Sequence, residues 1–166
     1  TTFLLQHEID TGNILLRQEI FIGENETAGE LHDRMMVIGA ELVVKTINGI
    51  SDHSLNAKNQ SEFVSAGEKL SDAPKLFRET CRINWNWSGE RIRNHVRGLN
   101  PFPTAWAELK REDGSVLPMK IFSCRFEKGI AHGAPGTMDS KMRVQVADGI
   151  LFIDELQAPG KKKLLT

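Results

Sequence analysis

Residues 141–157 read Lys141-Met142-Arg143-Val144-Gln145-Val146-Ala147-Asp148-Gly149-Ile150-Leu151-Phe152-Ile153-Asp154-Glu155-Leu156-Gln157. Two runs rich in β-branched and aromatic residues flank an Asp-Gly pair, the short-range signature of a tight hairpin. The stretch therefore predicts antiparallel strands over 141–147 and 150–157. The same texture recurs upstream over 104–110 and 118–127, with Glu112-Asp113-Gly114-Ser115 and Gly133-Ala134-Pro135-Gly136 as turn-forming separators.

Four or five antiparallel strands with Gly/Pro corners in about 60 residues form the pattern of a small barrel, of which the oligonucleotide/oligosaccharide-binding (OB) type is one. Two short helices precede it. Asp72-Ala73-Pro74 opens the first, through about Arg82, with Leu76, Phe77 and Thr80 inward and the proline in the first turn. The second begins at Ser88, buries Ile92, Val96 and Leu99, and stops at Asn100-Pro101-Phe102-Pro103.

Nearer the start, residues 2–6 and 14–22 read as strands joined by a turn at Asp10-Thr11-Gly12-Asn13, where Gly12 would supply a positive φ. Thr27-Ala28-Gly29-Glu30 has the form of a capping box. Leu31, Met35, Ile38, Leu42 and Val43 follow at helical spacing, and Gly49 closes the pattern. Residues 48–62 are polar and turn-prone.

Charge changes sign in that same stretch. Residues 1–57 carry three basic side chains (Arg17, Arg34, Lys45) against nine acidic ones, whereas residues 58–166 carry eighteen against thirteen. Two modules, 1–57 and 58–166, are expected, the second with a bias toward phosphates. No apolar run is long enough to span a bilayer, which makes a soluble cytoplasmic protein the expectation. Cys81 and Cys124 read as buried thiols. His7, His32, His53, His95 and His132 are scattered, so no metal is indicated.

Asp10-Thr11-Gly12 invites comparison with the aspartic proteases. That chemistry needs two carboxylates sharing a proton. The chain has one such turn, position 13 is Asn, and Val37-Ile38-Gly39, the candidate supporting strand, lies in a helical pattern. A plain hairpin corner with an exposed Asp is the alternative for this turn taken alone.

Other stretches accompany it: Glu68-Lys69-Leu70-Ser71, Arg82-Ile83-Asn84-Trp85, Ile92-Arg93-Asn94-His95-Val96-Arg97-Gly98-Leu99-Asn100-Pro101-Phe102-Pro103 with Ala105-Trp106, Ala134-Pro135-Gly136-Thr137, Asp148-Gly149, and Gln157-Ala158-Pro159-Gly160-Lys161-Lys162. In this order, with Ile9 to Leu15 and the capped helix from Thr27, the chain resembles the folate-dependent formyltransferases over nearly all of its length. Asn-Pro-Phe-Pro and Pro-Gly-Lys-Lys favour the branch that formylates methionyl-tRNA over relatives acting on nucleotide sugars.

The resemblance implies an α+β chain. A strand-turn-strand-helix remnant of a Rossmann-like α/β formyltransferase domain would precede a C-terminal OB-like antiparallel β-barrel with two short helices. It further implies that a preceding portion carries the folate pocket with a catalytic Asn and His, so that the present chain is a fragment without transferase activity. The reaction implied moves a formyl group from 10-formyltetrahydrofolate to the amine of initiator methionyl-tRNA, in the bacterial cytoplasm or an organellar matrix, with no membrane, DNA or metal involved. Asp10 matches the family's catalytic carboxylate, which would orient the imidazole and help move the amine proton. His7, three residues away along a strand, is not placed to replace that imidazole. The second function implied is holding tRNA through phosphates. Arg93 and Arg97 on the outer face of the second helix, Arg91 at its flank, Lys69 and Lys75 near the first helix, and Lys161, Lys162 and Lys163 after the last strand are the candidate contacts. Trp85, Trp87 and Trp106 read as packing residues rather than base-stacking platforms. The rival from another class is a stand-alone RNA-binding barrel.

Overall fold

The computed structural model describes residues 1–110, 113–130 and 133–166. Glu112 of the expected separator and His132 lie outside the described residues. The elements are β1 (Thr2–Phe3), β2 (Ile14–Leu16), α1 (Ala28–Ser51), α2 (Gly89–Gly98), β3 (Ala105–Lys110), β4 (Val116–Lys128), β5 (Arg143–Val146), β6 (Gly149–Gln157) and β7 (Leu164–Leu165), with single 3-10 turns at Gln60–Phe63 and Glu79–Cys81. Contacts divide the chain into two compact units, Thr1–Glu24 with Glu30–Pro74, and Asn25–Gly29 with Lys75–Thr166.

In the first unit β1 and β2 pair antiparallel, Thr2 opposite Leu16 and Phe3 opposite Ile14. Both strands are much shorter than their composition predicts. A lone two-stranded ladder is marginal, and Leu5 and Phe21, expected in the strands, stand 89% and 83% exposed. Thr2 Oγ1 lies 2.8 Å from Thr46 Oγ1 on α1, and Thr46 in turn donates to the Leu42 carbonyl. Leu42, Thr46 and Gly49 are the buried residues of α1, while Met35, Val37, Val44 and Ile47 remain exposed. The unit extends beyond the sequence boundary at 57/58 because Lys58 pairs with Ile14 through two backbone hydrogen bonds of 2.8 and 2.9 Å.

The second unit is a curled antiparallel sheet in the order β3-β4-β6-β5, with β7 added beside β6, and α2 packed against it. Ile92, Val96 and Leu99 fall at i, i+4 and i+7 of α2 and are 0%, 1% and 6% exposed. They join Ala105, Ala107, Ile121, Val144, Val146, Leu151, Ile153 and Leu156 from the strands in one core. Along the 13 residues of β4 the register shifts between Ile121 and Cys124. This bulge lets the neighbours Ile121 and Phe122 both be buried, and it bends the strand.

The decisive hairpin forms one residue early. Val146 pairs with Gly149 across Ala147-Asp148, so Gly149 opens β6 rather than closing the turn. Asp148 is drawn into the loop by other bonds: its carboxylate accepts the Gly89 N–H at 2.7 Å, and its carbonyl accepts the Gly129 N–H at 3.0 Å. The start of α2 is thereby tied to the hairpin, with Ser88 Oγ accepting the Arg91 N–H. Gly89 has no room for a side chain, since a Cβ there would sit 2.0 Å from the Phe126 ring.

The helix expected over 72–82 does not form; apart from the single 3-10 turn Glu79–Cys81, α2 is the one helix between Lys75 and β3. Residues 72–77 are irregular, and Leu76 and Phe77 are 55% and 56% exposed instead of facing inward. Carbonyls that helical amides would use are taken by side chains. The Phe77 carbonyl accepts from Thr80 Oγ1 (2.7 Å) and Cys81 Sγ (3.2 Å), and the Arg78 carbonyl accepts from Trp106 Nε1 (2.8 Å). Cys81, 1% exposed, plugs the core there.

The packing predicts that Ile92→Ala destabilises the second unit by about 2–5 kcal/mol through a cavity beneath the sheet. Urea unfolding followed by tryptophan fluorescence measures this.

Candidate functional site

The turn around Asp10 is held by its backbone. Gln60 Nε2 donates to the Asp10 and Gly12 carbonyls at 2.7 and 2.8 Å, and Thr11 Oγ1 donates to the Glu8 carbonyl. Asp10 itself takes the left-handed conformation, with φ 60°. Gly12 does not, contrary to the sequence expectation. It is required because a Cβ at that position would lie 1.5 Å from the Leu4 carbonyl oxygen. The Asp10 side chain is exposed, and among the described residues no donor reaches its carboxylate.

The basic candidates fall into two groups. Those on α2 are engaged within the protein. Arg93 donates to Glu90 (2.7 Å) and Asn25 Oδ1 (2.7 Å), and its side chain is 17% exposed. Arg97 donates to Asn94 Oδ1 and to the Glu26 carbonyl at 2.8 Å. Arg93 and Arg97 are half-buried against the Asn25–Glu26 segment rather than forming an outward row. Arg91 is exposed and lies 4.2 Å over the Trp87 ring. The Arg93 bond holds the Glu90 carboxyl below the ordinary carboxylate range.

Among the others, Lys163 sits 3.7 Å over the Phe122 ring and pairs with Glu155. Lys69, Lys75, Lys161 and Lys162 are exposed. Lys75 and Lys161 adjoin, in sequence, two edges of a groove of about 920 Å³ in the second unit. Leu76, Phe77 and Arg78 form one edge, Phe102 to Thr104 another, and Gln157 to Gly160 a third, with Trp106, Met119 and Lys120 along the floor and rim. Phe102 is 85% exposed. The sequence reading did not single out Phe77, Arg78, Phe102 or Lys120 as functional. Asn-Pro-Phe-Pro is legible in the sequence as a helix stop and as a mark of the family branch, but not as the edge of a groove.

Trp85, Trp87 and Trp106 pack on the core, half-buried. Cys81 is buried, and burial pushes the Cys124 thiol up to about 12. Among the described residues no cluster of three or more His, Cys, Asp or Glu could hold a metal ion, and no helix is long and apolar enough to cross a membrane.

A seated amphipathic helix and a curled antiparallel sheet, following a strand-helix unit in the sequence, define the class of fold. Residues 75–165 match the family model described as "Formyl transferase, C-terminal domain", which covers more than half of the chain. The chain belongs to this formyl transferase family. It is 41% identical over 170 residues to the methionyl-tRNA formyltransferase of Bacteroides fragilis and 42% identical over 168 residues to that of Clostridium perfringens. These alignments take in 100% and 99% of the chain but 52% and 51% of those proteins, so the chain spans about half the length of the relatives it matches. A similar fold occurs in HypX from Aquifex aeolicus, solved in complex with tetrahydrofolic acid, with TM-score 0.66 and 16% identity over 98% of this chain and 28% of that one.

His95 makes a measurable prediction. It is half-buried, lies edge-on to Trp87 at 5.2 Å, and has Nε2 3.2 Å from the Cys81 carbonyl. Burial, and secondarily Arg91, holds its pKa below the ordinary imidazole value, with the Cys81 carbonyl opposing. The unfolded chain thus binds the proton more readily. Stability from this group is full above the unfolded imidazole pKa and is lost as pH falls through the lower folded value. The thermal midpoint should drop on acidification from pH 7.5 to 5.5, and His95→Gln should flatten that slope.

Proposed function

We propose that this chain supplies the C-terminal half of an enzyme that transfers a formyl group from 10-formyltetrahydrofolate to the α-amine of initiator methionyl-tRNA. The observation that carries the reading is the match of the whole chain to methionyl-tRNA formyltransferases, with Asp10 at the turn that resembles the family's catalytic one. The protein is expected to work in the bacterial cytoplasm or an organellar matrix. We read the curled sheet as an OB-like barrel, on the strength of its five strands and the bulged, bent β4.

The folate supplies the formyl group. Neither the groove nor the small cavity of about 50 Å³ beneath the sheet includes Asp10. We therefore assign folate binding to no residue of this chain. What the chain contributes to the chemistry is a carboxylate. Its backbone is fixed by Gln60 while its oxygens have no partner among the described residues, an arrangement suited to orienting an imidazole and drawing off the proton of an attacking amine. Apolar residues left exposed on α1, among them Met35, Val44 and Ile47, support a first unit that packs against further strands of an α/β domain. The chain of 166 residues alone is then inactive as a transferase.

The second contribution is a grip on tRNA through exposed cations, Lys69, Lys75, Arg91, Lys161 and Lys162. Arg93 and Arg97 act chiefly by holding Asn25–Glu26, and Lys163 by packing on Phe122. Such contacts are largely sequence-neutral and salt-sensitive.

In the full-length protein, Asp10→Asn should lower kcat with methionyl-tRNA about 100-fold or more while leaving tRNA affinity intact. Formylation of a nucleotide sugar in preference to methionyl-tRNA would refute the substrate assignment. For the 166-residue chain, filter binding should show tRNA affinity falling steeply between about 50 and 200 mM salt. Charge reversal at Lys161 and Lys162 should reduce that slope, and an unchanged slope would remove them from the interface.

A further inference from the structure

We propose that the groove bordered by Leu76–Arg78, Pro103–Thr104 and Ala158–Gly160 seats an unpaired nucleotide of RNA. Its base would stack on the exposed rings of Phe102 or Phe77, and its phosphate would lie against Arg78 and Lys120. The inference rests on the tRNA-binding reading above and names the chemistry by which this face contributes to it.

Three observations converge. The groove, about 920 Å³, falls within the size range of ligand sites and has ample room for a nucleoside phosphate. Among the described residues its charged lining is wholly cationic: Arg78 and Lys120 contribute, and no Asp or Glu does. That complementarity selects an anion and disfavours a cationic or purely apolar occupant.

The third observation concerns the aromatic rings. Phe102 is 85% exposed, yet its turn is firmly anchored. The Thr104 N–H donates to the Leu99 carbonyl (2.9 Å), Thr104 Oγ1 to the Pro101 carbonyl (2.7 Å), and Asn100 Nδ2 to the Phe122 carbonyl (2.8 Å). The chain thus holds a large apolar ring out in water on a fixed support. Phe77, 56% exposed, also lines the groove, with the Lys75 ammonium 5.7 Å from its ring centroid. Trp106 serves as wall, since the Arg78 guanidinium lies 5.1 Å over its ring and its Nε1 is bonded to the Arg78 carbonyl.

Exposed aromatic faces in a groove whose described charged lining is cationic are what a nucleobase with its attached phosphate requires. A base inside a helical stem has both faces covered by its neighbours, so the ligand is an unpaired one.

The test uses the 166-residue chain, a tRNA transcript and a fully paired RNA duplex, with affinities from filter binding at fixed salt. Phe102→Ala and Phe77→Ala together should weaken tRNA binding about tenfold, leave duplex binding and the salt slope unchanged, and leave the thermal midpoint unaltered. Arg78→Glu with Lys120→Glu should weaken both RNAs and reduce the salt slope. Wild-type binding of tRNA that the aromatic substitutions do not alter, or an equal loss for duplex and tRNA, would overturn the inference while leaving the tRNA-binding reading in place. Wild-type chain that binds neither RNA at low salt would instead refute that reading, and this inference with it. An acidic peptide that displaces tRNA from wild-type but not from the double phenylalanine variant would assign the groove to a protein partner and also overturn it.

Discussion

The seating of α2 on the curled sheet is the constraint on which residues 75–166 depend. Ile92, Val96 and Leu99 enter the core with almost no residual exposure, and the helix start is pinned by the Gly89 amide to the Asp148 carboxylate. Close approach at Gly89 against Phe126 makes that pin possible, because any side chain there would force the helix off the strand. Once α2 is seated, its C-terminal end fixes the Asn100–Thr104 turn, which presents Phe102 outward. One edge of the groove is thus a by-product of how the helix terminates. Phe102 belongs to a turn whose sequence must above all stop the helix.

The cations of this chain divide by commitment rather than by position in the sequence. Arg93 and Arg97 belong to a basic helix, yet their guanidinium groups are satisfied by Glu90, Asn94 and the Asn25–Glu26 segment. Lysines in irregular stretches, such as Lys75 and Lys161, remain on the surface. Exposed charges keep their hydration until a polyanion replaces it. Engaged ones would have to give up protein hydrogen bonds first, which makes them poor counterparts for phosphate.

Much of the second unit was legible in the sequence because its signals are local. The strands over 104–110, 118–127 and 150–157, and the apolar face of α2, follow from alternation and from helical spacing. Failures occurred where a distant partner overrode a local pattern. Pro74 with an apolar pair downstream suggested a helix, but Trp106 and Cys81 bond to the carbonyls that such a helix would need. Gly12 looked like a residue chosen for its φ and proved to be chosen for its proximity to Leu4, a contact no local reading discloses. Long strands at 2–6 and 14–22 were expected from composition, yet within the described residues each finds a brief ladder. Asp10 could be proposed from its motif, whereas the groove could not be seen, because its edges come from three separate stretches.

Residues 25–29 lie well before Lys75 in the chain and yet belong with the second unit. Asn25 and Glu26 take hydrogen bonds from α2, the Gly29 amide donates to the Asn100 carbonyl, and a Cβ on Gly29 would come within 2.5 Å of Pro101. A graft that transplanted residues 75–166 into another host would leave this clasp behind, stripping acceptors from two arginines and uncovering the back of the Pro101 turn. Modularity here is therefore interleaved: the portable piece is discontinuous, and any recombination that respects it must carry both segments together.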